Sequence, residues 1–388
     1  MRQEQCVSKP CLPTADDPGQ MLAIYVLHAG ALPLARRLAL ELAGRPWRHG
    51  PGHGLSRACL YAPARFCPQD ALPFASLSAL MAQSYARFAA HAFLGAAGIA
   101  VRCLAPLLRH KSVDAPVLVL DTAGRFVISL LSGHWGGGNA LARHVAILLK
   151  STPVITTASD NEGQAALDLS LRMAGLRPLD WQLLPRVQGL LLEGKHLALW
   201  DPCQAVPDQP GLLRTPLWEK TGEDWPGSCP APGRDALPLL AAHWRRLAPM
   251  AHVLRIAVPW LFLGIGCRRN VPSNVMLCAT QTLLHRHGLE PLALAGLATV
   301  DAKMHEPAVH NLAETLGLKL FAFSPDKLAR CPVPHPSKAA GRRFGCAPFS
   351  VCEGAALLAA GEGARLLVAK SVFQGMVTLA VALAGGQS

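Results

Sequence analysis

The residues best suited to chemistry lie in Ser129–Asn139, SLLSGHWGGGN. Ser132 and His134 sit on one bend and can point at the same place. Three consecutive glycines, Gly136, Gly137 and Gly138, follow, and then Asn139. Histidine titrates near neutral pH, which makes His134 the candidate general base. Ser132 is a candidate for orienting a water or for acting as a nucleophile. Glycines let the backbone approach a ligand closely and take positive φ. Free N–H groups at a helix start favour an anion or a developing negative charge. The competing reading is a tight turn whose glycines serve only the chain, with Asn139 capping the helix.

The flanking pattern says what holds this bend. Pro116–Asp121 and Arg125–Leu131 are apolar strands joined by Thr122-Ala-Gly124. Ala140–Lys150 has apolar residues at helical spacing. Ser132–Asn139 is therefore a strand-to-helix turn. Thr152–Ala158 is a β-branched strand that runs into Ser159 and Asp160. Ligands gather at strand carboxyl ends in parallel α/β sheets, so Thr156, Thr157 and Asp160 are candidate liners. The alternative is a polar strand end with Asp160 as a helix cap. Upstream, Met21–His28 is a strand and Leu32–Ala43 a helix opened by Pro33. Gly50–Pro73 reads as irregular and Phe74–Phe93 as helix. Ala96–Leu104 is a short strand or a strand-to-helix turn. Arg102 and Lys111 flank that apolar piece, either solvated or placed to meet a carboxylate.

Downstream, Gln164–Ala174 reads as helix and Leu190–Ala205 as a hairpin around Glu193-Gly194-Lys195. Pro202–Pro238 is proline-rich loop and linker, and Leu239–Leu247 a short helix. A second α/β domain begins near His252. Its strand, Val253–Gly264, leads into Gly264-Ile-Gly266-Cys267-Arg268-Arg269, and Ser273–His287 is a helix. That is a second backbone anion cradle with two guanidiniums beside it. The third glycine of a dinucleotide fingerprint is missing. Strands follow at Pro291–Thr299 and Leu318–Phe323, with a helix at Ala308–Leu316 between them. Asp301 and Lys303 lie just past the first strand. Pro332–Gly345 is a basic loop, and Ser350–Ala360 a helix with Ser350 and Glu353 spaced as a capping box. Arg365–Lys370 is a strand, and Met376–Ala384 the last apolar element. The fold expected is α/β, with two Rossmann-like parallel-sheet domains. The boundaries are 1–20 for a disordered extension, 21–158 for the N-terminal α/β domain, 159–247 for the middle region and Pro-rich linker, and 252–388 for the C-terminal α/β domain. The two glycine turns suggest two half-sites facing each other.

Composition narrows the partners. The chain has 388 residues, 51% of them apolar, enough for real cores. Its net charge is +12, which suits nucleic acid, an anionic membrane or an acidic small molecule. The cations are scattered, with doublets at most, and no zinc-finger or RNA-binding signature occurs. An acidic small molecule is the better match. The 12 cysteines contain no CxxC, so no metal site is expected. Neither a signal peptide nor a membrane span is read, and free thiols in a reducing cytoplasm are expected.

Three blocks together resemble the cobalt-precorrin-5A hydrolase family (CbiG) of anaerobic cobalamin biosynthesis. The first is Gly98–Arg102 with Ala105–Leu108 and Lys111. The second is Asp121, Gly124, Phe126–Asn139 and Pro153–Asp160. The third is Gly264–Arg269, Leu297–Thr299, Asp301, Lys303, Glu306, Ser350–Glu353, Ala355-Ala356, Lys370 and Thr378. Asn270 stands where the family commonly has glycine, and 159–247 matches poorly. The resemblance implies that water opens a δ-lactone on a cobalt-bearing tetrapyrrole, that acetaldehyde leaves, and that cobalt-precorrin-5B remains. It also implies a CobE-like C-terminal part. No cofactor is expected, since the substrate carries the cobalt. Opening a lactone needs an activated water, a seat for the oxyanion and a proton for the leaving oxygen. His134 would be the base, the N–H groups of Gly136–Asn139 the seat, and Glu353 or Asp301 a further acid or base. Arg102, Arg268, Arg269, Lys303 and Lys370 would clamp the substrate's carboxylates, and Cys267 is a candidate nucleophile or a structural thiol. The partners implied are the anionic cobalt tetrapyrrole and the neighbouring methyltransferases of the pathway, with no nucleic acid and no membrane; a homodimer is left open. The rival readings are a non-catalytic tetrapyrrole carrier and an acyl or phosphoryl transferase.

Overall fold

Strands buried on both faces read as unbroken apolar runs, and β1 (Met21–Val26, MLAIYV) is buried at every position. The computed structural model describes residues 20–48, 54–157, 167–215 and 238–385. The chain divides into two units, Met1–Met173 and Ala174–Ser388. The expected extension and Asp160 fall outside the described residues, as does most of the proline-rich segment.

In the first unit, β2 (Trp47–Arg48) and β3 (Gly54–Leu55) form a small antiparallel ribbon. The main sheet adds β4 (Arg57–Pro63), β5 (Leu72–Phe74), β6 (Ala90–Leu94), β7 (Val117–Leu120), β8 (Phe126–Leu131) and β9 (Thr152–Val154). Its order is β5-β4-β1-β6-β7-β8-β9. All neighbours are parallel except the β7–β8 hairpin. Leu22, Ile24 and Val26 pack under helices Leu32–Gly44 and Gly138–Leu149. Ala23 and Tyr25 pack under helices Leu77–Ser84 and Ala97–Leu104. Two expectations are corrected here. Gly50–Pro73 carries strands, and Phe74–Phe93 is not one helix. Ser76 caps a helix that ends at Ser84, and Ala90–Leu94 is a fully buried strand between β1 and β7. A short apolar run has no period that separates buried strand from buried helix. Of the two readings open for Ala96–Leu104, the structure has the helix, from Ala97.

The second unit holds two sheets. The first contains β10 (Arg177–Pro178), β11 (Leu197–Trp200), β12 (Leu212–Arg214), β13 (Leu239–His243) and β14 (Val253–Ala257), in the order β10-β14-β13-β11-β12. Only β10 is antiparallel to its neighbour. Asp180 and Arg255 lock it with a bidentate pair at 2.7 and 2.9 Å. Leu239–Leu247 is thus headed by a central strand, not a helix. The expected hairpin at Leu190–Ala205 is the end of helix Leu184–Leu192, a turn and β11.

The last sheet contains β15 (Leu261–Cys267), β16 (Leu294–Val300), β17 (Leu320–Phe323), β18 (Arg365–Phe373) and β19 (Val377–Leu383), in the order β17-β16-β15-β19-β18. β15, β16 and β17 run parallel, and β19 and β18 join antiparallel. The strand read over Val253–Gly264 is therefore two strands in two sheets. Leu261, Leu263 and Ile265 face helices Ser273–Arg286 and Pro307–Leu316. The alternate positions, Gly264 and Gly266, lie against helix Val351–Ala360 and its approach. Pro332–Gly345 is not only loop: Ser337 caps a helix at Lys338–Phe344. Among the described residues no helix is long and apolar enough to cross a membrane.

Candidate functional site

The turn after β8 closes on itself. The N–H groups of Gly138 and Asn139 donate to the carbonyls of Ser132 and Gly133, and that of Gly137 to His134, each at 2.9 Å. The oxyanion seat expected from Gly136–Asn139 is thereby corrected. Three of its four amides are spent inside the turn, and among the described residues only the Gly136 N–H is left without a carbonyl. The glycines serve this closure. Gly137 sits at φ +81°. A Cβ on Gly136 would overlap the Ser132 side chain and lie 2.7 Å from its carbonyl oxygen. Ser132 takes φ +54°, which strains a non-glycine residue. Its hydroxyl donates to the Asp114 carbonyl at 2.8 Å. The helix begins at Gly138 with Gly137 as its cap, so Asn139 is not the capping residue. Asn139 is buried and donates from Nδ2 to Thr157 Oγ1 at 2.9 Å.

His134 acquires a partner that sequence reasoning missed. Its Nδ1 lies 3.3 Å from Asp168 Oδ1, and both side chains are more than four-fifths buried. Asp168 belongs to helix Leu167–Met173. One turn further on, Arg172 places Nη1 3.5 Å from the His134 carbonyl. An acid and a cation four apart on one helix share a face. That spacing was the available signal, but it does not say what the face meets. A carboxylate at Nδ1 favours the imidazole tautomer that carries its proton there. Thr156 is exposed beyond β9. Arg102 is exposed and folds back on its own helix, Nη1 3.3 Å from the Gly98 carbonyl. Lys111 lies exposed in the loop whose Asp114 receives the Ser132 hydroxyl.

The second unit has a cleft of about 210 Å³ at the carboxyl end of β15. Gly266, Cys267, Arg268, Ser350, Lys370 and Thr378 are among its lining. The start of helix Val351–Ala360 opens on it and suits an anion. Ligand cavities run from about 300 Å³ upward, so this cleft is smaller than a pocket for a whole large ligand. Gly264 and Gly266 are strand residues and form no turn. A Cβ on Gly264 would overlap the Cys352 carbonyl, and one on Gly266 would lie 2.5 Å from Thr378 Oγ1. The expected second cradle is therefore corrected to a close helix-on-sheet contact.

Other candidates fare differently. Arg268 and Arg269 are exposed at the strand end. Lys303 is not free to clamp a ligand. It is buried and bonds Glu306 Oε2 at 2.7 Å, while Glu306 Oε1 accepts from the Asn270 N–H at 2.6 Å. Burial pushes the Cys267 thiol up, the Lys303 charge opposing and the Glu306 charge adding to it, which disfavours the nucleophilic thiolate. Asp301 is exposed on the turn after β16. Ser350 makes no side-chain cap bond, so the capping box is corrected too. Glu353 turns inward, fully buried. It accepts from the His335 ring at 2.8 Å, the Lys370 N–H at 3.0 Å and the His335 N–H at 3.2 Å. Burial alone would raise its carboxyl. These donors and Ser350 outweigh burial and hold it below the usual carboxylate range. Such a group anchors the cleft wall, and His335, absent from the sequence reading, is its exposed partner.

A family model described as the cobalamin synthesis G N-terminal region matches residues 79–160. One described as the cobalamin synthesis G C-terminus matches residues 261–382. The chain is 31% identical over 320 residues to a cobalt-precorrin-5A hydrolase of Salmonella typhimurium, covering 80% of this chain and 83% of that one. The chain belongs to the CbiG family. A second relative in the family, a cobalt-precorrin-5A hydrolase of Priestia megaterium, is 28% identical over 299 residues, 74% of this chain and 76% of that one. A protein CobE of Sinorhizobium is 32% identical over 114 residues, 29% of this chain and 73% of that one. The two matched segments hold the glycine turn with His134 and the β15 cleft. Asp168 and Arg172 lie beyond the first.

Proposed function

We propose that the protein hydrolyses the δ-lactone of cobalt-precorrin-5A and releases acetaldehyde, leaving cobalt-precorrin-5B. Membership of the CbiG family supports a hydrolase of cobalamin biosynthesis. The observation that carries the mechanism is the His134–Asp168 pair beside the glycine turn. His134 Nε2 takes a proton from water as its oxygen bonds to the lactone carbonyl carbon. The carbonyl electron pair moves onto oxygen. When the tetrahedral centre collapses, the ring C–O bond breaks, and the departing oxygen takes the proton from His134. A carboxylate and an alcohol result. The alcohol then loses its proton and its C–O bond becomes C=O as the C–C bond to the macrocycle breaks; that bond's electron pair and a proton pass to the macrocycle, and the two-carbon unit leaves as acetaldehyde, its oxygen being the former ester oxygen. Cobalt enters and leaves with the substrate. Ser132, tied to Asp114, is read as holding the turn beside the attacking water. In the second unit, Arg268 and Lys370 line a cleft whose cations suit carboxylate groups, and Glu353 holds the Lys370 backbone there.

The test is anaerobic incubation with the cobalt lactone, followed by acetaldehyde detection. The wild-type protein is expected to release it. His134→Ala is expected to bind substrate and to lose about 10²- to 10⁴-fold in rate. Undiminished release from that variant removes His134 as the base. Binding without release by the wild type leaves a carrier.

A further inference from the structure

The closure of the glycine turn raises a question about charge. A lactone carbonyl attacked by water becomes an oxyanion, and enzymes meet that charge with preorganised donors. The amides of Gly137, Gly138 and Asn139 already serve the turn's own carbonyls. Another group must take the role if water attack occurs beside His134. Arg172 is the cation on that spot. Its guanidinium is half-buried, and among the described residues its one hydrogen bond is the 3.5 Å contact from Nη1 to the His134 carbonyl. Among the described residues no carboxylate pairs with it. Asp168, on the same helix, is instead directed to His134 Nδ1. One short helix thus brings a carboxylate to the ring of His134 and a cation to its backbone. Once His134 has taken the proton from water, the Asp–His⁺ pair is neutral and the guanidinium charge is left to meet the oxyanion that forms in the same step.

Resting on the reaction assigned above, we propose that Arg172 is the oxyanion-binding residue of this site, its guanidinium taking the negative charge that develops on the attacked lactone oxygen. The Gly136 N–H is the accompanying donor. Burial pushes the guanidinium's pKa down to about 10, so it remains charged at neutral pH. A planar fork with several N–H donors also suits a tetrahedral oxyanion better than a point charge does. A cation with this role acts on the transition state. Its removal must therefore lower kcat and leave substrate binding nearly intact.

Acetaldehyde formation from cobalt-precorrin-5A, followed anaerobically in steady state, separates the outcomes. Arg172→Ala is expected to lower kcat by about 10²- to 10³-fold, the cost of an oxyanion donor, with KM changed by less than about threefold. Arg172→Lys keeps the charge and is expected to recover part of the loss. Millimolar guanidinium is expected to restore activity to Arg172→Ala, a rescue that a merely structural role would not allow. A rise in KM with kcat intact overturns the proposal and makes Arg172 a ground-state carboxylate anchor. A folded Arg172→Ala protein with wild-type kcat, or one that guanidinium leaves inactive, overturns it as well. If Arg172→Ala does not fold, Arg172→Lys decides by the same split between kcat and KM. A wild type that forms no acetaldehyde fails the reaction itself, a result distinct from any of these.

Discussion

In the proposed reaction Asp168 determines which nitrogen of His134 acts. There the carboxylate, its Oδ1 3.3 Å from Nδ1, keeps the proton on Nδ1 so that Nε2 takes one from water. Asp168→Asn removes the charge that stabilises the imidazolium and permits the wrong tautomer. The expected result is a kcat lowered by about 10²-fold or more with KM little changed, measured as acetaldehyde release. A loss confined to KM would show that Asp168 binds substrate instead. His134 itself was legible in the sequence because its turn carries the glycines within a few residues. Asp168 and Arg172 were not legible, since a seven-residue helix shows nothing of the surface it meets. Lys303 misled for a related reason. A lysine after a strand looks like a clamp until Glu306, three residues on, is found holding it.

At the scale of elements, glycines that look alike serve different ends. Gly136 and Gly264 occupy space that a methyl group would overlap, in the turn and under helix Val351–Ala360 respectively. Gly189, inside helix Leu184–Leu192, has nothing within 4 Å of an added Cβ. Gly136→Ala and Gly264→Ala are each expected to cost about 1–3 kcal/mol or more, as overpacking does. Gly189→Ala is expected to gain up to about 1 kcal/mol from helix propensity. Urea denaturation of the three variants checks the contrast. Equal effects would mean that the closeness of the turn and of the helix has no energetic weight. The GIG run reads as a backbone anion cradle because a glycine pair has the same letters in both settings. Strand alternation, with Leu263 and Ile265 on one face and the glycines on the other, was the clue that distinguished them.

For the whole molecule, the acid response follows from buried groups in both units. In the first unit, His91 is enclosed, its Nδ1 3.1 Å from Tyr25 Oη and its Nε2 3.1 Å from the Tyr85 carbonyl. In the second, His243 accepts from the Arg245 N–H at 2.7 Å and stacks on Trp200. Burial pushes each imidazole down to about 4, and the Arg245 charge adds to the effect at His243. An unfolded imidazole titrates near 6.5. Between about 6.5 and 4 the unfolded chain therefore binds more protons than the folded one, and stability falls with falling pH. Glu353 acts in the same direction at lower pH. Its carboxyl is held below its ordinary value, so its contribution is present above the unfolded pKa and is lost as pH falls through the folded one. Chemical denaturation at pH 7, 5.5 and 4.5 is expected to show a steady loss, and His91→Gln a shallower one. A pH-independent midpoint would contradict the burial of both rings.

The sequence by itself determined the strand–turn–helix at Ser129–Asn139, the α/β class and the family. These rest on local spacing and on motif letters, which a window of residues contains. Only the tertiary structure decided that three turn amides are spent on carbonyls, that Gly264 and Gly266 admit a helix, and that Ala90–Leu94 and Leu239–His243 are central strands. It alone brought Asp168 and Arg172 to His134. Each of these outcomes depends on atoms supplied by another element, and burial and hydrogen-bond partners of that kind leave no periodic trace in the chain.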